Sequence, residues 1–134
     1  MTPPYGARSY AQTSVIAATP LQLVAMLYDG AVLAAGAAHE ALVRRDIPAR
    51  RTAVNKLLGI VAELQNSLDL ERGGAMAAEL DRIYDYVVRQ VMEAVSTQTA
   101  APMADAHRIL QTLRGAWLHI AEQPDQATQA GARP

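Results

Sequence analysis

Residues 20–43, PLQLVAMLYDGAVLAAGAAHEALV, restrict the fold of this chain more than any other segment. At about 100° per residue around a helix, Gln22, Asp29, Gly36 and Glu40 fall into one narrow polar stripe. Val24, Leu27, Tyr28, Ala31, Ala35, Ala38 and Leu42 make one apolar flank. Met26, Leu33 and Ala37, beside Gly30, make a second. A helix that is apolar nearly all round is normally buried, and a small domain has few elements with which to cover it. The pattern predicts one flank in a core and a second flank covered by something else.

The remaining sequence supplies three more helices. Thr19-Pro20-Leu21-Gln22 reads as a capping box that opens the first, and Arg44 and Arg45 suit its C-terminal end. Asp46 is the expected N-cap of a second helix running to about Leu70, with Val54, Leu57, Leu58, Val61, Leu64 and Leu68 on one face. Gly73-Gly74 is expected to stop it and to include a position with φ > 0. A third helix spans about Ala75 to Ser96, striped by Leu80, Ile83, Tyr84, Val87, Val88, Val91 and Val95. Pro102 opens a fourth, carrying Ala106, Ile109, Leu110, Leu113, Ala116, Trp117 and Ile120 on one face. Long helices with short breaks predict an all-α, antiparallel up-and-down four-helix bundle. The expected organisation is an N-terminal arm over 1–18, the bundle over 19–123 and a disordered tail over 124–134.

Composition narrows the function. A formal net charge of −1 gives no field for nucleic acid or an anionic membrane. Cysteine is absent, which excludes disulfides and thiolate chemistry and fits a reducing compartment. The first twenty residues hold two early prolines and no continuous apolar run, so they do not read as a signal peptide. Residues 20–43 are long enough to cross a bilayer. Asp29 and the His39-Glu40 pair make that insertion costly, and a cytoplasmic protein is expected.

No residue pattern for catalysis emerges. A bundle-type dimetal site needs Glu-x-x-His on two helices, and no Glu here is followed three residues later by His. His39, His107 and His119 are isolated in sequence, and Ser14, Ser67 and Ser96 have no base nearby. The expectation is a non-enzyme without metal or cofactor. Tyr84 joins the apolar stripe and reads as core; Tyr86, two residues on, projects away from it as a candidate partner contact. Leu118 also points away from its helix's apolar face. In RRDIPARR, Arg50 and Arg51 occupy the first turns of a helix, where the dipole disfavours cations. A solvated turn accounts for them, and an acidic protein partner is the functional alternative.

Three blocks then become specific. YAQTSVIAATPLQLVAMLYDGAV, SLDLERGGAMAAELDRIYDYVVRQV and LQTLRGAW, in that order, resemble the signature blocks of the flagellar secretion chaperone family FliS. The resemblance implies a four-helix cytosolic export chaperone that binds the C-terminal segment of flagellin, blocks premature polymerisation and delivers the subunit to the flagellar type III export gate protein. It implies an N-terminal arm packed on the bundle and rearranged by the client, for which Tyr10, Val15 and Ile16 are the candidate residues. Met26, Leu33, Tyr86 and Leu118 are the candidate client or arm contacts on the bundle. Two departures stand out: VLAAGAA replaces larger or charged residues common after Asp-Gly-Ala, and Ala75 stands where relatives often carry Glu. Such a chaperone is expected to be a monomer or weak dimer when free; the competing expectation is a generic helical adaptor that uses the same flank for a homodimer.

Overall fold

The computed structural model describes residues 20–121. Thr19, Tyr10, Val15, Ile16 and the tail from residue 122 lie outside the described residues, as does the side chain of Ile120. Four helices follow in order: α1 (Pro20–Arg44), α2 (Ile47–Asn66), α3 (Leu70–Thr97) and α4 (Ala101–Ala121). No β-strand occurs among the described residues. Two residues join α1 to α2 and three join each later pair, so sequence neighbours must run antiparallel. The helix α1 packs against both α2 and α4, and α3 closes the ring.

The first connection follows the expected chemistry. Arg45 takes the left-handed conformation at φ 60 as α1 ends, and the Asp46 carboxylate accepts the Ala49 N–H at 3.1 Å to start α2. The second connection differs from expectation. The α2 helix stops at Asn66, four residues before Leu70, where the Ser67 hydroxyl donates to the Leu64 carbonyl at 2.7 Å. Asp69 then caps a new helix by accepting the Arg72 N–H at 3.0 Å. The helical backbone breaks at Gly74, so a short turn over 70–73 precedes the long helix that begins near Ala75, as expected. Gly74, at φ 53 and ψ −129, supplies the expected positive φ.

A Cβ at Gly74 would meet no atom within 4 Å, so any cost of adding one lies in the backbone. Gly74→Val should lower stability by about 1–3 kcal/mol in thermal unfolding. An unchanged melting temperature would show that the bend tolerates a β-branched residue.

The core is built from aliphatic residues around three rings, because the chain has no phenylalanine. Ala31, Ala35 and Ala38 of α1, Leu57, Val61 and Leu64 of α2, Val87 and Val91 of α3, and Met103 and Leu110 of α4 have no exposed surface. Full burial of each large aliphatic side chain contributes roughly 1.5–3 kcal/mol. Tyr28 stands between Tyr84 and Trp117, with ring centroids 6.4 and 6.2 Å away, and its hydroxyl is hydrogen-bonded to that of Tyr84. Small residues let α1 approach both neighbours. A Cβ on Gly30 would sit 3.1 Å from Ile60 Cδ1, and one on Gly36 would sit 3.4 Å from His107 Nε2. By length and composition α1 is the one described helix apolar enough to cross a membrane. Its inner flank is occupied by protein: Tyr28, Ala31, Ala35 and Ala38 are fully buried.

Candidate partner-binding surfaces

The outer face of α1 differs from the sequence pattern in one respect. Met26 and Leu33 share this face with Gln22, Asp29 and Glu40 in place of forming a separate flank. Leu33 is 74% exposed and Met26 45%. No helix of the bundle covers them. Ion pairs flank this strip: Glu40 with Arg44 at 2.9 Å along α1, and Asp29 with Arg114 of α4. Both pairs are open to solvent and contribute at most about 1 kcal/mol each, so they orient the surface more than they hold the fold.

Leu118, 41% exposed, lies one helical turn beyond Arg114 on α4. Met26, Leu33 and Leu118 thus belong to the α1–α4 wall. Tyr86 does not. Its hydroxyl donates to the Asp105 carboxylate of α4 at 2.8 Å, the Gln90 amide donates to the same carboxylate at 3.0 Å, and the Arg89 guanidinium lies 5.8 Å from the ring centroid. Arg108, Tyr86 and Gln90 together hold the Asp105 carboxyl below the usual carboxylate range. That carboxylate in turn pushes the Tyr86 hydroxyl up. Tyr86 therefore serves in a polar clasp between α3 and α4, while its ring edges a shallow depression floored by Ile83 and Ile109. Tyr84 is core, as its place in the stripe predicts.

Sequence spacing missed two features. Met92, 49% exposed, lines a groove between α2 and α3 together with Arg50 and Arg51. His39 and His107, apart in sequence, come within electrostatic reach across the α1–α4 seam. Burial, and then the His39 charge, lowers the His107 pKa. Neither juxtaposition leaves a local signal, since each depends on which helices become neighbours. Among the described residues no cluster of three His, Asp or Glu side chains is placed to hold a metal ion.

The described residues form an all-helical bundle whose outward faces carry exposed Met and Leu. The family model described as "Flagellar protein FliS" matches residues 1–124. The chain is 34% identical over 120 residues to a protein named flagellar secretion chaperone FliS from Salmonella typhimurium, covering 86% of this chain and 89% of that protein. It is 30% identical over 114 residues to the flagellar secretion chaperone FliSB of Pseudomonas aeruginosa, covering 82% and 90%. The Vibrio cholerae flagellar secretion chaperone FliS is also 30% identical over 114 residues, covering 85% and 84%. The chain belongs to the FliS family of flagellar secretion chaperones, which are not enzymes.

Proposed function

We propose that this protein is a cytosolic export chaperone that binds the C-terminal segment of flagellin, prevents premature polymerisation and assists delivery to the flagellar type III export gate. The observation that carries this reading is the uncovered outer face of α1, with Leu33 74% exposed on a helix packed tightly on its other side. The names of its relatives, flagellar secretion chaperones, support the same reading. Apolar surface set among charges suits a client that is apolar and extended, and reversibly held. Residues 1–18 are proposed as a displaceable arm that competes for the bundle through Tyr10, Val15 and Ile16, with 19–123 as the client-binding body and 124–134 as a tail.

Calorimetric titration with a flagellin C-terminal peptide tests this directly. The expected result is one peptide per chain, a dissociation constant below micromolar and a negative heat-capacity change from apolar burial. Leu33→Glu should weaken that binding at least tenfold while the melting temperature stays put, because an exposed position changes stability by only about 0.5 kcal/mol. Deleting residues 1–17 should tighten binding of a short peptide if the arm competes. Absence of peptide binding at micromolar concentration, together with a concentration-dependent dimer in sedimentation, would overturn the chaperone reading in favour of a self-associating adaptor.

A further inference from the structure

The seam between α2 and α3 carries a groove separate from the α1–α4 wall. Val54 and Leu58 of α2 and Met92 and Val95 of α3 give it apolar sides, and Arg50 and Arg51 stand at one end. No carboxylate lines it. Among the described residues neither arginine takes part in an ion pair. Both occupy the first turns of α2, where the helix's own dipole opposes positive charge. The helix dipole does not favour two adjacent cations there, and solvation alone offsets it.

The far end of the seam has the opposite sign. Asp81 and Asp85 of α3 both accept from the Gln65 side-chain amide, at 3.1 and 2.9 Å. From Arg51 to Gln65 the α2 axis spans about 21 Å, or four turns. The seam is thus positive at one end, negative at the other and largely apolar between its ends, with Asn55 the polar residue of the groove lining. Met92 gives its wall an adaptable thioether surface.

We propose that this groove receives a helix of another protein, apolar on one face and acidic in its last turn. Charge complementarity sets its direction. Its acidic residues and the negative end of its dipole meet Arg50 and Arg51, and its positive N-terminal end meets Asp81 and Asp85. The incoming helix therefore runs parallel to α3. Apolar side chains at i, i+3, i+4 and i+7 enter between Leu58 and Met92 in the helix-in-groove manner. The α2–α3 seam lies across the ring from the α1–α4 seam, so this partner and a client on α1 occupy different walls.

The test uses the full chain and two stapled synthetic helices with the same leucine face, one ending in Glu-Glu and the other in Lys-Lys. Fluorescence anisotropy should give at least tenfold tighter binding of the acidic peptide, a preference that shrinks as salt rises. Arg50→Glu with Arg51→Glu should reverse the preference, and Met92→Gln should weaken both peptides. A spin label on the C-terminus of the acidic peptide should broaden the amides of Arg51 and Thr52, leaving those of Asp81 and Asp85 sharp. Equal affinities for the two peptides, a preference that survives the double substitution, or broadening at the aspartate end would each overturn the proposal. These readouts contain no flagellin, so they stand or fall apart from the client reading.

Discussion

Trp117→Ala should destabilise the bundle by about 3–5 kcal/mol, the largest loss expected from any single truncation here. Trp117 is only 4% exposed, and its ring stacks on Tyr28 with an interplanar angle of 30°. It reaches from the last helix onto the first. Its ring partner Tyr28 is itself fully buried and held by Tyr84, so it cannot shift to fill an indole-sized hole. In a domain of about this size each kcal/mol lowers the melting temperature by roughly 4–8 °C, so circular dichroism during heating should register the change easily. Trp117→Phe keeps a ring and should lose much less. A Trp117→Ala loss of only a few tenths of a kcal/mol would mean that α1 and α4 do not depend on this contact.

The second large effect is a non-additive one. The Tyr28 and Tyr84 hydroxyls satisfy each other inside an apolar core, and the Trp117 indole also interacts with the Tyr28 hydroxyl. Tyr28→Phe leaves the Tyr84 hydroxyl buried without its partner, which should cost about 1–3 kcal/mol. Tyr84→Phe should cost less, because Tyr28 keeps Trp117. The double replacement should be no worse than Tyr28→Phe alone, since both polar groups then leave the core together. Simple additivity of the two losses would show that the hydroxyls are independent. Burial raises both phenol pKa values, that of Tyr84 from 10.0 to about 12. A phenol held neutral only in the folded state contributes stability that is complete below pH 10 and is lost as pH rises through its folded pKa. Alkaline unfolding of the wild type should therefore be shifted in the double variant.

These two experiments probe the part of the fold that was most legible in the sequence. Helical periodicity identified Tyr28, Tyr84 and Trp117 as inward-facing, and it separated Tyr84 from Tyr86, because one strong stripe runs along each helix. Asp46 announced its helix through capping chemistry that acts over three residues. The boundary before α3 was harder to read. Ser67 and Asp69 end one helix and begin the next by local hydrogen bonds, while the adjacent Gly73-Gly74 pair carries the stronger turn signal. The outer strip of α1 was visible as apolar residues, but its openness follows from where α2 and α4 pack. The same holds for the Tyr86–Asp105 clasp and the Arg50–Met92 groove. Each joins residues from two helices, and no spacing within either helix encodes the other.

The ring's closure between its first and last members has a consequence for how the chain is made. Asp29 and Arg114 meet across 85 residues, and Tyr28 and Trp117 meet across a similar span. Of the four described helices, a chain synthesised from its N-terminus produces the most apolar one first. That helix finds α2 soon afterwards, but its other side stays open until Ala101–Ala121 has been translated. Joining the two ends carries the loop-closure entropy of nearly the whole domain. Nascent chains cut short before α4 would expose the Tyr28 side of α1, the kind of uncovered apolar surface at which aggregation begins. A bundle of this topology is thus most vulnerable on the ribosome, before its final helix arrives.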